Sequence, residues 1–173
     1  MPETMSETMP ENRHILTQTV TREHFSPFGD LLVAEGPPDM IINQKKCGRW
    51  HDLAQLDFVG GRAGISLFLA EKRDFPYQLD LLERHPLGSQ SFIPMTANPF
   101  LAIVALDEGD RPSFPKAFLI PPHHAVSFHR NIWHGVLTPL HSPGLFAVID
   151  RIGSGDNLEE FWFEEPYLVM QKD

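Results

Sequence analysis

Three residues in one short stretch could do chemistry together: Glu83, His85 and Gln90, within Glu83-Arg84-His85-Pro86-Leu87-Gly88-Ser89-Gln90-Ser91-Phe92-Ile93-Pro94. In an extended chain, residues two apart share a face, so Glu83 and His85 point one way and Arg84 the other. The apolar flanks (Leu79, Leu81, Phe92, Ile93) and the Pro86/Gly88 turn predict a β-hairpin, with Gln90 returning just beyond the turn. A strand that gives inward positions to Glu, His and Gln gives up burial energy, which points to a site. Imidazole with carboxylate or amide oxygen suits nickel, zinc, iron or manganese about equally, and the same groups suit acid–base work. The plainer readings are a hydrogen-bonded histidine beside a turn and a Glu83 paired with an arginine on an adjacent strand.

A second polar cluster, His129-Arg130-Asn131-Ile132-Trp133-His134-Gly135, lies between apolar runs. His129 and His134 could face one pocket from opposite sides of a bend. Alternatively, His134 is a core-edge residue beside Trp133, and His129 is exposed. His51, in Arg49-Trp50-His51-Asp52-Leu53, is either a pocket residue or the start of a surface turn. Asp150-Arg151 ends an apolar strand. It reads as a structural ion pair or as an arginine for a substrate carboxylate. Gly153-Ser154-Gly155 is not a phosphate loop, because no lysine follows.

These residues need strands to hold them. Candidate strands are Ile15–Thr19, Leu31–Ala34, Ile65–Ala70, Gln78–Glu83, Gln90–Pro94, Phe100–Ala105, Ala117–Ile120, Val126–Phe128, His134–Leu137 and Leu145–Ile149. Sixteen prolines and twelve glycines punctuate them, and long helical periodicity is nearly absent. The pattern predicts an all-β sandwich or barrel. A short helix is expected at Thr21–Phe25, capped by Thr21, and a second from Asn157 to Phe163. Leu106–Lys116 reads as an exposed loop.

At 173 residues the chain is expected to form one domain, residues 14–173, after a flexible tail over residues 1–13 that contains the near-repeat Pro2-Glu3-Thr4-Met5 and Ser6-Glu7-Thr8-Met9. A net charge of −9 argues against nonspecific binding to nucleic acid or anionic membranes. The single cysteine, Cys47, cannot form an internal disulfide and favours a reducing cytoplasm. The acidic N-terminus does not read as a signal peptide, and no apolar run reaches transmembrane length.

The sequence resembles the ureidoglycolate lyase (ureidoglycolate hydrolase) family of the allantoin pathway over nearly all of the chain after Ile15. Glu83 to Met95 matches the family's Glu-Arg-His-Pro-Leu-Gly-(Ser/Thr)-Gln-x-Phe-Ile-Pro-Met, and His129 to His134 its second motif. Phe25-Ser26-Pro27-Phe28-Gly29-Asp30, Ile42-Asn43, Arg49-Trp50-His51-Asp52-Leu53-Ala54 and Ile149-Asp150-Arg151 are similar to its other motifs. One departure is the loop Pro122-His123-His124-Ala125, which replaces a glycine-rich stretch and is expected to stiffen the site entrance.

The resemblance implies a cupin-like β-barrel, a homodimer, and cleavage of (S)-ureidoglycolate to glyoxylate and urea in purine catabolism. Glu83, His85, Gln90 and His134 are similar to the four cupin metal positions, which implies a divalent ion, nickel first, with zinc or manganese as alternatives, and no organic cofactor. Cleaving a carbinolamine needs a base for its hydroxyl proton and an acid for the departing nitrogen. His85 or His134 is expected as base or metal ligand, with His129 or His51 serving the nitrogen. Arg49 or Arg151 would hold the carboxylate, beside Asn43 and Trp133. The alternatives are an amidohydrolase that releases ammonia and a cupin that binds a small acid without catalysis.

Overall fold

The computed structural model describes residues 11–173. The expected tail over residues 1–13 lies outside them except for a 3-10 turn at Glu11–Arg13. The chain then runs through β1 (His14–Thr19), α1 (Arg22–Phe25), β2 (Gly29–Leu32), β3 (Met40–Ile42), β4 (Cys47–Arg49), β5 (Arg62–Ala70), β6 (Tyr77–Arg84) and β7 (Gln90–Pro94). It continues through β8 (Phe100–Ala105), β9 (Lys116–Ile120), β10 (Ala125–Phe128), β11 (Trp133–His134), β12 (Thr138–Pro139), β13 (Gly144–Ile152) and β14 (Glu159–Met170). The α1 helix is capped as its sequence predicts, with the Thr21 hydroxyl accepting from the His24 N–H at 3.1 Å.

Six strands close on themselves in the order β11-β6-β14-β1-β9-β8, with β8 pairing back to β11 and β12 added beside β8. A second sheet, β2-β10-β7-β13-β5, lies against this barrel, and β3-β4 form a separate two-stranded ribbon. The architecture is all-β and cupin-like. Strand β8 is buried on both faces and so separates two cores. Leu101, Ile103 and Ala105 join Ile15, Leu79, Leu82 and Trp133 inside the six-stranded barrel. Phe100, Ala102 and Val104 join Phe92, Phe128, Phe146 and Val148 in the space between the two sheets. The period of two along β8 makes this partition.

Three expectations are corrected. The segment Asn157–Phe163 is no helix: from Glu159 it is strand β14, in register with β6 (Glu159↔Arg84, Phe161↔Leu82). Phe161 and Phe163 alternate with exposed Trp162, a period-two pattern that a sheet partner can use. Next, β6 and β7 do not form a hairpin. They belong to different sheets, so the Pro86–Ser89 turn is a crossover that puts Glu83 and Gln90 on facing walls. The turn passes close to β13, where a Cβ on Gly88 would lie 2.7 Å from the Arg151 Cβ. Finally, the His123-His124 loop is not at the site entrance. It joins the ends of β9 and β10 remote from Gln90, which pairs with Phe128 at the other end of β10.

A candidate metal and catalytic centre between the sheets

The two sheets meet at one end around Glu83, His85, Gln90 and His134. Strand pairing places Glu83 directly opposite His134. His85 follows β6 immediately, and its Nε2 lies 3.9 Å from Glu83 Oε1. The His85 and His134 rings are 5.2 Å apart between centroids. Ligand-capable atoms of Glu83, His85 and His134 all fall within 4.8 Å of one another. Gln90 approaches from the other sheet. It shares a face of β7 with Phe92, whose ring meets His134 edge-on at 6.3 Å.

Hydrogen bonding aims the lone pairs. His85 Nδ1 donates to the Asn157 carbonyl at 2.7 Å, and His134 Nδ1 donates to the Gly135 carbonyl at 2.9 Å. A carbonyl can only accept, so each neutral ring carries its proton on Nδ1 and leaves Nε2 bare. Gln90 Nε2 donates to Asp150 Oδ2 at 3.3 Å, which leaves Oε1 as the free end of the amide. His85 Nε2, His134 Nε2 and Gln90 Oε1 are all buried and have no hydrogen-bond partner among the described residues. Buried acceptors of this kind are costly unless something arrives to use them. The Glu83 carboxylate and the two imidazole nitrogens fit a divalent cation, and the Gln90 oxygen is a further unpartnered donor on the facing sheet.

Burial sets the charges here. Desolvation lowers the His134 pKa to about 3, helped by neighbouring His85 and opposed by the Gly135 carbonyl, so the ring stays neutral. Desolvation raises the Glu83 pKa, with His85 pulling it down and Glu160 pushing it up.

The other expected residues lie elsewhere. His129 lines a surface cleft of about 240 Å³ with Gln55, Asp57 and Arg130, and its Nε2 is 3.6 Å from Asp30. His51 and Arg49 are exposed on and just after β4, and Asn43 is exposed in the turn between β3 and β4. Trp133 is 2% exposed and turned into the barrel core. Its indole N–H donates to Asp107 at 2.9 Å, and the Arg84 guanidinium lies over its ring at 4.4 Å. Neighbours on a strand face opposite ways, so presenting His134 to the inter-sheet space removes Trp133 from it. Arg151 is likewise not free to hold a substrate. Its guanidinium donates to the carbonyls of Val59, Gly60 and Ser154 at 2.6, 3.0 and 2.6 Å. Arg84 points away from the cluster as expected, bonded to Glu159, Asp107 and Asp110. Sequence reasoning did not single out Asp150, Asn157 or Phe128 as supports of the cluster. The polar residue Asp150 at the end of an apolar strand was the one visible signal.

A closed six-stranded barrel with a second sheet against it, holding two imidazoles and a carboxylate between them, is a cupin-like architecture. Residues 12–170 match the family profile described as ureidoglycolate lyase. The ureidoglycolate lyase of Rhodobacter capsulatus is 53% identical over 156 residues, covering 90% of this chain and 97% of that protein. The ureidoglycolate lyase of Chelativorans sp. is 47% identical over 160 residues (91% and 96%), and ureidoglycolate lyase 2 of Rhizobium meliloti 49% over 152 (87% and 93%). The chain belongs to the ureidoglycolate lyase family. Among the described residues no helix is long and apolar enough to cross a membrane.

Proposed function

We propose that this enzyme cleaves (S)-ureidoglycolate to glyoxylate and urea, with the reaction carried by the cluster of Glu83, His85, Gln90 and His134. The supporting observation is the set of three buried, partnerless lone pairs beside the Glu83 carboxylate. Breaking the carbon–nitrogen bond turns the carbinol into an aldehyde. The hydroxyl proton ends on the urea nitrogen, so no net proton is gained or lost and one carrier can serve both atoms. In the metal-free protein Glu83 suits that role, because burial raises its proton affinity. His134 does not, because its depressed pKa makes it a lone-pair donor and a poor base. A divalent ion held by Glu83, His85, Gln90 and His134, nickel first and zinc or manganese otherwise, would act as a Lewis acid toward the substrate oxygens.

Product analysis tests the reading. Purified enzyme given (S)-ureidoglycolate should release urea and glyoxylate in equal amounts. Ammonia without urea would instead assign an amidohydrolase, and unchanged substrate in metal-replete buffer a binding module.

Two further points belong to this reading. The protein is a homodimer that associates through β5, an edge strand whose Ile65, Leu67 and Leu69 side chains are 75, 64 and 75% exposed. Light scattering should give twice the chain mass. The free thiol of Cys47 suits the cytoplasm.

A further inference from the structure

We propose that Lys116 binds the substrate carboxylate; the inference rests on the lyase reading above. The side chains of the cluster include the Glu83 carboxylate and no lysine or arginine. The chain as a whole carries a charge of −9, so an incoming anion needs a local cation. Arg22, Arg84, Arg130 and Arg151 are bonded to carbonyl or carboxylate oxygens, and Arg49 sits exposed on the β3–β4 ribbon.

Lys116 stands in the right row. It opens β9 and pairs with Val104. Val104 pairs with His134, and His134 with Glu83. Residues paired across a sheet share a face, so Lys116, Val104, His134 and Glu83 form one row along the wall of the inter-sheet space. Phe118, two residues on along β9, lies in the inter-sheet core and fixes which face this is. The side chain follows the row: its Nζ is 5.8 Å from the centroid of the Phe28 ring, which belongs to the same core. Lys116 is exposed and makes no ion pair among the described residues, so its ammonium is not committed to a protein carboxylate. Its Cα is two inter-strand steps from that of His134, roughly 10 Å. The four-carbon stem spans part of that gap. What is left suits a two-carbon acid bearing a ureido group, with its carboxylate at Lys116 and its carbinol at Glu83 and the imidazoles.

The test compares wild type with Lys116→Met, which keeps the stem and removes the charge, and Lys116→Arg, which keeps the charge. Equal release of urea and glyoxylate by the wild type comes first, and its failure would sink the lyase reading. In an active wild type, Lys116→Met should raise KM for (S)-ureidoglycolate and the inhibition constant of glyoxylate at least about tenfold. Its kcat should stay within about twofold and its melting temperature unchanged. Lys116→Arg should restore both constants. Unchanged KM and glyoxylate inhibition in Lys116→Met would overturn the assignment. So would a loss confined to kcat, or a lowered melting temperature in which Lys116→Arg recovers stability and leaves KM raised.

Discussion

The imidazole of His134 lies flat on the ring of Phe128, with centroids 4.4 Å apart and planes within 3° of parallel. Phe92 closes the edge of the same ring, and the Gly135 carbonyl fixes its proton on Nδ1. This apolar seating drives the His134 pKa from 6.5 down to about 3. Between those values the unfolded chain binds a proton that the folded ring refuses. The contribution of His134 to stability is therefore complete above pH 6.5 and is lost as pH falls toward 3. Urea unfolding in chelator from pH 7 to pH 4 should show this slope in the wild type and a flatter one in His134→Asn. Equal slopes would mean that the ring is not held neutral. Glu83 acts in the opposite sense: with its pKa raised above 4.5, its contribution falls as pH rises through the raised value.

Glu83→Gln keeps an oxygen donor and removes the proton carrier. It should lower kcat at least about a hundredfold, the usual scale for a lost general acid or base, while the protein still melts cooperatively. Turnover near the wild-type rate would transfer the proton to another residue.

Asp150 holds the amide of Gln90 by one hydrogen bond. Removing such a support from a metal ligand typically costs ten- to a hundredfold in metal affinity. Nickel titration followed by calorimetry should show Asp150→Ala weakened by about tenfold, and His85→Asn weakened more. An ion that binds at saturation should also raise the wild-type melting temperature, because it binds the fold and not the unfolded chain. Identical titrations for all three proteins would place any ion elsewhere.

Arg151→Lys should lower the melting temperature and leave KM unchanged. Its three carbonyl contacts hold the Val59-Gly60 turn and the Ser154 turn, and an ammonium cannot reproduce that fork. Trp133→Phe should behave alike, losing the bond to Asp107 without touching the site. A raised KM in either variant would bring that residue back to the substrate.

The pairing of Glu83 with His85, the outward turn of Arg84 and the all-β class were legible in the sequence, because each rests on the period of two along a strand. Gln90 reaches the same end of the two sheets by a crossover and not by the hairpin that its sequence predicts. Nothing local to Pro86–Ser89 distinguishes a hairpin from a crossover between sheets; β11 and β14 occupy the two edges of β6 and leave none for β7. The same blindness to partners led to a helix at Asn157–Phe163. Trp133 and Arg151 looked like binding residues because arginine and tryptophan serve both recognition and packing. Only the contacts that each makes assign it to packing. Lys116 carries no local motif at all, and its place beside the cluster exists only in the register across three strands.

Strand β1 lies parallel between β9 and β14, and β14 is the partner that joins it to β6. Of the strands in the six-membered ring, β1 is the first to leave the ribosome and β14 the last. Until β14 emerges, β6, which bears Glu83, and β1 each have an open edge where β14 will pair. The two-sheet wall around Gln90 and Phe128 is by then already synthesised, so the cluster is finished by its outermost support rather than from its centre.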